Sequence, residues 1–313
     1  MKKRDMVFAL LVVIIWGANF TVIKLGLEGV PSMLLIVLRY IATVFPAVFF
    51  IKRPEIPWRY LVAYGLTVGV GEFGCLFFSI EIGMPAGLAS VVLQSQAFFT
   101  VLFAAVLLKE GLEGRQLAGL AVSAAGLYCI GAAAGTHGIS GIPLEAIFLL
   151  LLGAGFFGFS NIIVRYASNQ AVAQEKKLDM LSFVVWSSLV PPLPLLGMAL
   201  LLDTPQTLIG SIRNLNGMSV FAIFFLAYCA TLYCFGAWNA LLAKYPAGMV
   251  APLSLLVPVT GLITAQLVLG EHLSTIQWMG SVFILSGLVI SHLGPGSVKR
   301  LVRGTGEKAG TKC

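Results

Sequence analysis

Apolar residues fill ten long stretches of the chain, and polar residues gather between them. Each stretch holds roughly 18 to 24 residues, the length that an α-helix needs to cross about 30 Å of hydrocarbon. The pattern predicts an all-α integral membrane protein with ten transmembrane helices. The predicted spans are 6–23, 32–51, 60–80, 86–107, 116–134, 144–166, 180–202, 219–243, 247–269 and 276–293.

One stretch of the chain occurs twice. Residues 84–130 recur without a gap, 161 positions later, as residues 245–291. The matches include polar and small residues, which a shared apolar composition does not explain. They are Pro85, Ala86, Gly87, Glu110, Gln116, Gly119 and Gly126, paired with Pro246, Ala247, Gly248, Glu271, Gln277, Gly280 and Gly287. The repeat indicates duplication of one structural unit.

The duplicated unit extends over five helices in each half. Residues 16–20 (WGANF) in the first helix have a weaker echo in residues 157–161 (FGFSN) of the sixth. Because five is odd, the second copy enters the membrane upside down, which predicts inverted repeats about an axis in the membrane plane. We expect a first repeat over 6–134, a second over 142–293, and a basic, disordered cytoplasmic tail over 294–313.

The composition requires lipid as the solvent. The 313 residues are 58% hydrophobic and 11% charged, with a mean hydropathy of +0.96, more apolar surface than a water-soluble core can enclose. The net charge of +7 follows the predicted loops: with the N-terminus inside, 17 basic residues face the cytoplasm and two, Lys24 and Arg213, face outwards. This asymmetry orients both termini towards the cytoplasm. It indicates attraction to anionic lipids rather than to nucleic acid.

Two oppositely charged residues lie deep in predicted helices. Arg39 is in the second helix and Glu72 is in the third. Both lie about eight residues, roughly 12 Å, from the outer ends of their helices, so we predict a coupled pair. Such a pair either neutralises itself for packing or serves a solute that carries both charges. Burial also favours the neutral form of an acid, which makes Glu72 a candidate proton carrier.

Further polar groups occur at nearly the same depth. Asn19 in the first helix and Gln94 and Gln96 in the fourth complete a polar level that predicts a hydrated cavity. Asn19 can equally hold the helix bundle together through a hydrogen bond. In the eighth helix, Trp238 and Asn239 can contact a solute, although aromatic packing is the commoner use of such rings.

Prolines interrupt two of the predicted helices. Pro252 and Pro258 remove backbone donors from the ninth helix, which predicts that this helix lines the cavity. The prolines of the seventh helix fit a peripheral kink equally well. Glu110 and Glu271 lie in turns, where capping of the following helix is the favoured interpretation.

A secondary transporter accounts for the duplication, the polar level and the broken helices together. The aspartates and histidines lie at helix ends or in loops, so no catalytic pair or metal cluster can be assembled from them. We therefore expect neither an enzyme nor a bound cofactor or metal. The sequence has no ATP-binding loop, which leaves an ion gradient or facilitated efflux as the driving force. A non-transporting membrane receptor or scaffold is the alternative class.

Several segments resemble the EamA family of the drug/metabolite transporter superfamily. They are residues 16–20 (WGANF), 38–40 (LRY), 83–90 (GMPAGLAS), 92–100 (VLQSQAFFT) and 251–259 (APLSLLVPV). The resemblance covers all ten predicted helices and implies an exporter of the bacterial inner membrane, with a central cavity framed by both halves. The strings of the fourth and ninth helices are most similar to members that export O-acetylserine and cysteine. In that pattern an amide stands at the position of Glu72.

The resemblance and the polar level together give the candidate substrate-binding residues. They are Trp16, Asn19, Arg39, Glu72, Gln94, Gln96, Trp238, Asn239, Pro252 and Pro258. The expected partners are a small amino-acid-like solute, protons as a candidate coupling ion, and membrane lipids. A different metabolite or a drug is the alternative solute.

Overall fold

The computed structural model describes residues 1–109, 114–135, 142–245 and 250–292, and all regular structure in these ranges is helical. Three expectations fall outside these ranges: the cap by Glu110, the start of the second copy at residues 246–248, and the tail over 294–313. Helices suit the apolar stretches because a backbone surrounded by lipid must satisfy its own hydrogen bonds.

Five helical segments, labelled α1 to α5, make up the first half. α1 is Lys3–Leu27, and α2 is Ser32–Val44 extended by Ala47–Phe50. α3 joins Trp58–Tyr64, the π-helix Gly65–Glu72 and Phe73–Glu81. α4 joins Ala86–Val92, the 3-10 turn Leu93–Ser95 and Gln96–Leu107, and α5 is Gly114–Gly135.

The second half follows the same order with α6 to α10. α6 is Leu144–Val172, and α7 consists of Met180–Ser187 and Pro192–Leu202, followed by a short connecting helix Pro205–Arg213. α8 joins Gly217–Phe224, the π-helix Phe225–Tyr233 and Cys234–Lys244. α9 joins the 3-10 helix Ala251–Leu256 and Val257–Leu269, and α10 is Thr275–His292.

Within the described ranges, six helices are long and apolar enough to cross a membrane, and the two parts of α7, bent by 43°, make a seventh. The six are Lys3–Leu27, Ser32–Phe50, Trp58–Glu81, Ala86–Leu107, Leu144–Val172 and Gly217–Leu242. Two further apolar helices, Leu253–Leu269 and Thr275–Ser291, are shorter than these spans. The chain is an all-helical, multi-pass membrane protein.

Irregular turns occur at corresponding places in the two halves. The third helix of each half contains a π-helix, Gly65–Glu72 in α3 and Phe225–Tyr233 in α8. The fourth helix of each half contains a 3-10 turn, and Leu93–Ser95 lies 161 positions before residues 254–256, inside Ala251–Leu256. A π-turn contains an extra residue, so it rotates the side chains that follow it around the helix axis.

The break in α7 packs against glycines of α3. A methyl group on Gly65 would lie 2.6 Å from the carbonyl oxygen of Ser187, and one on Gly69 would lie 2.0 Å from Pro191 Cγ. Glycine is therefore required at both positions for the two helices to approach this closely. The bend in α7 faces the protein interior and not the periphery.

α5 and α10 cross through reciprocal glycine contacts. A methyl group on Gly119 would lie 2.5 Å from the carbonyl oxygen of Gly287, and one on Gly126 would lie 2.5 Å from that of Gly280. Position 119 corresponds to 280 in the repeat, and 126 corresponds to 287. The two helices therefore run antiparallel and present the same positions to each other.

Polar contacts join helix ends at two levels. At one level Lys244 Nζ lies 2.5 Å from Asp5 Oδ2, which joins the end of α8 to the start of α1. At the other level Lys24 Nζ lies 2.9 Å from Glu271 Oε1, which joins the end of α1 to the turn after α9.

Glu271 caps a different helix from the one expected. Its Oε1 and Oε2 accept hydrogen bonds from the backbone N–H groups of Ala86 at 2.8 Å and Gly87 at 3.0 Å, in the first turn of α4. α10 is capped by Ser274, whose Oγ accepts from Gln277 N at 3.3 Å, while Gln277 Oε1 accepts from Ser274 N at 2.8 Å. A carboxylate in a turn reaches whichever helix start is near in space, and sequence distance does not identify that helix.

Candidate functional site

A cavity of about 60 Å³ lies between α2, α3, α7 and α8, with Phe157 of α6 at its edge. Its polar lining residues are Arg39, Tyr40, Tyr64, Glu72, Ser187, Ser188 and Thr231. This space admits a few water molecules, since each needs roughly 10–15 Å³. The structure thus brings both buried charges to one cavity.

The guanidinium of Arg39 is poorly paired for a buried cation. The residue is 4% exposed, and its Nη2 donates to Thr231 Oγ1 at 3.1 Å. Its Cζ lies 4.0 Å from the centre of the Phe73 ring and 5.5 Å from that of Tyr40. Within the described chain, Nε and Nη1 make no hydrogen bond. The aromatic faces attract the cation but leave two of its donor atoms free.

The carboxyl of Glu72 is also underpaired. The residue is 3% exposed, and in the described part of the chain its buried Oε2 makes no hydrogen bond. No ion pair between Arg39 and Glu72 occurs among the described residues. The two residues share a cavity as expected from their depth, but the guanidinium stacks on Phe73 instead of binding the carboxylate directly.

The two π-helices position the cavity's polar groups. Glu72 is the last residue of the π-helix in α3, and Thr231 lies within the π-helix of α8. Thr231 Oγ1 donates to the carbonyl oxygen of Leu226 at 2.8 Å, five residues earlier, and accepts from Arg39. π-turns are rare and often lie at functional sites because they redirect side chains.

Gln96 serves a helix contact away from this cavity. Asn161 Nδ2 donates to Gln96 Oε1 at 3.0 Å and to Thr100 Oγ1 at 3.0 Å, which joins α6 to α4. Gln94 is half-buried in the 3-10 turn of α4. Neither glutamine lines the Arg39 and Glu72 cavity, because α4 packs against α6 and α9 there. The expected polar level of four helices is thus divided between separate places.

Trp16 forms an aromatic group beside the cavity. Its Nε1 donates to the carbonyl oxygen of Ala230 at 3.0 Å, and its ring centre lies 5.2 Å from that of Trp238 and 5.8 Å from that of Phe235. Of these residues, Phe235 lines the cavity. Trp16 therefore supports the cavity wall from the side of α1.

The asparagines of α1 and α8 retain free polar atoms. Within the described residues, the buried Asn19 Oδ1 and Asn239 Nδ2 have no hydrogen-bond partner. Neither residue lines the cavity that contains Arg39. Buried polar groups are normally paired, so these free atoms favour a polar ligand. A solute-binding role for Asn19 and Asn239 stays a prediction.

No described side chain of the ninth helix lines this cavity. Pro252 and Pro258 accompany a 3-10 turn and the start of the following helix. The carbonyl oxygen of Pro258 lies 3.4 Å from the donor Ser90 Oγ of α4. The freed carbonyl thus contacts a side chain of α4 and not the cavity. The helix whose broken backbone lines the cavity is α7, through Pro191.

Sequence reasoning missed Thr231, Phe73 and Tyr64 as cavity residues. Thr231 and Tyr64 are ordinary polar residues of apolar helices, and Phe73 is one of 21 phenylalanines. The one sequence signal for Phe73 was its position directly after Glu72.

Membrane-length apolar helices around an enclosed site with two opposite, underpaired charges define a multi-pass membrane carrier. Comparison with known families agrees with this class. A profile described as the EamA-like transporter family matches residues 4–132 and again residues 144–293. The chain belongs to this family, and it is therefore a membrane transporter rather than an enzyme.

The chain is similar over most of its length to curated relatives. It is 40% identical to a "Probable amino-acid metabolite efflux pump" of Escherichia coli K12 over 94% of this chain and 96% of that protein. It is 42% identical to a protein of the same name from Salmonella typhimurium, with the same coverage. A "Probable terminal-alkyne amino-acid exporter" of Streptantibioticus cattleyicolor is 25% identical over 93% of this chain and 94% of that protein.

A solved structure entitled "Crystal structure of protein" shares the fold. The TM-score is 0.60 at 16% sequence identity, and the match covers 96% of this chain and 99% of the solved chain. This likeness concerns the fold alone.

Proposed function

We propose that this protein exports amino-acid-like metabolites, and that Arg39 and Glu72 bind the carboxylate and ammonium groups of the solute. The observation that carries the proposal is the set of free atoms at the cavity, Arg39 Nε and Nη1 and Glu72 Oε2, in residues at most 4% exposed. Intramembrane charges without partners are costly, and they commonly mark a solute or ion path.

A zwitterion matches these free atoms. Its carboxylate can accept from two guanidinium nitrogens, and its ammonium can donate to the carboxylate of Glu72. Binding then replaces two underpaired charges with two pairs, which avoids an uncompensated buried charge. The cavity of about 60 Å³ must widen to admit such a solute, and the π-helices and the α7 break are the segments best suited to move.

The names of the relatives support the solute class. Two relatives are named "Probable amino-acid metabolite efflux pump", and the third is named "Probable terminal-alkyne amino-acid exporter". The shared part of these solutes is the amino-acid backbone, which is the part that Arg39 and Glu72 can bind. Within this class we propose O-acetylserine and cysteine, on the resemblance of the α4 and α9 strings.

We infer that the two halves are inverted repeats over 6–134 and 142–293 within ten spans. The family profile matches twice, and the reciprocal glycine contact of α5 and α10 is what a two-fold axis across antiparallel helices produces. A second contact supports the axis. A methyl group on Gly17 of α1 would meet Thr260 and Gly261 of α9, and one on Gly158 of α6 would meet Phe99 and Thr100 of α4, the equivalent pair 161 positions earlier.

We further propose that both termini face the cytoplasm of a bacterial inner membrane. The 17-to-2 distribution of basic residues supports this orientation. Glu72 is the candidate proton carrier if efflux is coupled to protons, because it is an acid that borders the cavity.

Release of metabolites tests the proposal directly. Overproduction of the protein in a bacterium is expected to raise cysteine and O-acetylserine in the medium relative to cells with an empty vector. A Glu145→Gln variant is the matched control and should behave as the unaltered protein, because Glu145 is exposed at the start of α6. Unchanged release, with the protein detected in the membrane, would exclude these two solutes.

A further inference from the structure

A second concave site lies at one end of the bundle, away from the Arg39 and Glu72 cavity. It is a groove of about 350 Å³ between the loop that joins α2 to α3 and the loop that joins α6 to α7. Four basic side chains line it, Lys52, Arg53, Lys176 and Lys177, and all four residues are exposed.

The acidic residues of the groove are already occupied. Glu55 forms an ion pair with Lys176, and the hydrogen bond from this lysine holds the pKa of the Glu55 carboxyl below its usual value. The Asp179 carboxylate accepts from the backbone N–H groups of Leu181 at 3.2 Å and Ser182 at 3.3 Å, which caps α7. The groove therefore has an excess of positive charge.

The remaining basic side chains have no acidic partner. In the described part of the chain, neither Lys52 nor Lys177 forms an ion pair. Arg53 donates to the carbonyl oxygen of Ile56 at 3.1 Å, a contact that leaves its charge uncompensated. Three cationic groups are thus available to an anionic ligand.

Aromatic residues place the groove at the membrane surface. The ring centres of Trp58 and Trp186 lie 6.2 Å apart, and Trp186 Nε1 donates to the carbonyl oxygen of Ile51 at 3.0 Å. The Arg53 guanidinium lies 4.6 Å from the centre of the Trp58 ring. Tryptophan and arginine gather where the hydrocarbon meets the headgroups. These contacts therefore favour a position of the groove at headgroup depth.

Exposed apolar residues continue from the groove into the membrane. Phe49 is 74% exposed and Phe50 is 82% exposed, directly before the loop that contains Lys52. On the other loop, Val172 at the end of α6 is 67% exposed. A ligand with both an anionic head and apolar chains would contact the basic groove and this apolar surface together.

We propose that the groove binds the headgroup of an anionic phospholipid, with its phosphate between Lys52, Arg53 and Lys177 and its acyl chains along the end of α2. A soluble phosphate satisfies the charges but leaves the apolar surface beside them unused. Basic pockets at membrane-facing helix ends suit anionic headgroups for this reason. This site is independent of the solute proposed above.

Lipid-dependent thermal stability of the purified full-length protein tests the proposal. Added phosphatidylglycerol is expected to raise the melting temperature in detergent to a plateau, and phosphatidylcholine is not. The double variant Lys52→Gln/Lys177→Gln should need about twenty-fivefold more phosphatidylglycerol for the half-maximal rise, at roughly fivefold for each basic residue. The variant Lys52→Arg/Lys177→Arg keeps both charges and should respond as the unaltered protein does.

A second double variant controls for net charge. Lys3→Gln/Arg213→Gln removes two exposed charges outside the groove and should keep the full response to phosphatidylglycerol. An equal loss of response in both Gln variants would contradict a specific site, as would an equal rise with phosphatidylcholine. If millimolar inorganic phosphate reproduced the rise and Lys52→Gln/Lys177→Gln abolished it, the groove would be a phosphate site and the lipid proposal would be wrong.

Discussion

Arg39 and Glu72 face one cavity without bonding to each other. The guanidinium instead lies over the Phe73 ring and donates to Thr231. A desolvated cation–π contact contributes about 2 kcal/mol, whereas removing an ion from water costs several kcal/mol. The contacts present in the structure therefore do not compensate the burial of Arg39 fully. Under the proposed function, the solute supplies the missing partners.

Substitution at these two positions separates a transport role from a packing role. We expect Glu72→Gln and Arg39→Gln each to lower efflux by roughly ten- to a hundredfold at normal abundance, since a hydrogen bond to a charged group contributes about 1.5–3 kcal/mol. Efflux in membrane vesicles, normalised to protein amount and measured with and without a pH gradient, provides the readout.

The double variant and exposed controls complete this test. Glu145→Gln and Arg213→Gln change exposed charges and should leave efflux unaltered. A purely structural pair would reduce abundance in each single variant, recover part of it in the double variant, and keep normal efflux per molecule. That pattern would contradict the transport role. Loss of the pH dependence alone, in Glu72→Gln, would identify this residue as the proton carrier.

At the scale of helices, the crossing of α5 and α10 depends on glycine. At each of these glycines, an added methyl group would lie within 2.7 Å of a backbone carbonyl oxygen of the other helix. For Gly280 that oxygen belongs to Gly126. In lipid no hydrophobic force drives two apolar helices together, so close backbone packing supplies the association energy. The same two positions of the repeat provide this packing in both halves.

A single methyl group is expected to disturb this crossing. Gly126→Ala should destabilise the protein by about 1–3 kcal/mol, the usual cost of overpacking, because the added methyl group would meet the backbone atoms Gly280 O at 2.5 Å and Ile284 N at 2.9 Å. Gly197→Ala is the matched control, since a methyl group there meets nothing within 4 Å. The melting temperature in detergent measures both, and an equal response of the two variants would show that the crossing tolerates added volume.

At the scale of the whole molecule, two ion pairs of the described residues lie at opposite ends of α1. Asp5 with Lys244 belongs to one end, and Lys24 with Glu271 belongs to the other. The basic groove with Lys52 and Lys177 lies in loops that the charge distribution assigns to the same side as Asp5. The proposed topology therefore gives the molecule one strongly basic end, on the side that it assigns to the cytoplasm.

Reporter fusions test this orientation. A reporter attached after Cys313 should be active as a cytoplasmic protein, and an alkaline phosphatase inserted between Asp203 and Thr204 should be active outside the cell. The insertion point precedes the connecting helix Pro205–Arg213, on the side assigned to Arg213. A periplasmic C-terminus would contradict the proposed topology.

The sequence alone determined the helices, the duplication and the two buried charges. Long apolar stretches must become helices in lipid, whatever surrounds them, so helices over these stretches could be predicted from composition and length. Arg39 and Glu72 were recognisable because charge inside an apolar stretch is rare, and the repeat was recognisable from polar and small residues such as Gln116 and Gln277.

Only the tertiary structure decided which polar groups meet. A helix that is apolar on every side carries little information about which face contacts a given neighbour, so the sequence did not indicate that Gln96 binds Asn161 or that Arg39 stacks on Phe73. The π-helix in α8 also brings Thr231 to Arg39 from 192 residues away. Such contacts depend on the rotation of each helix about its axis, and packing between helices fixes that rotation.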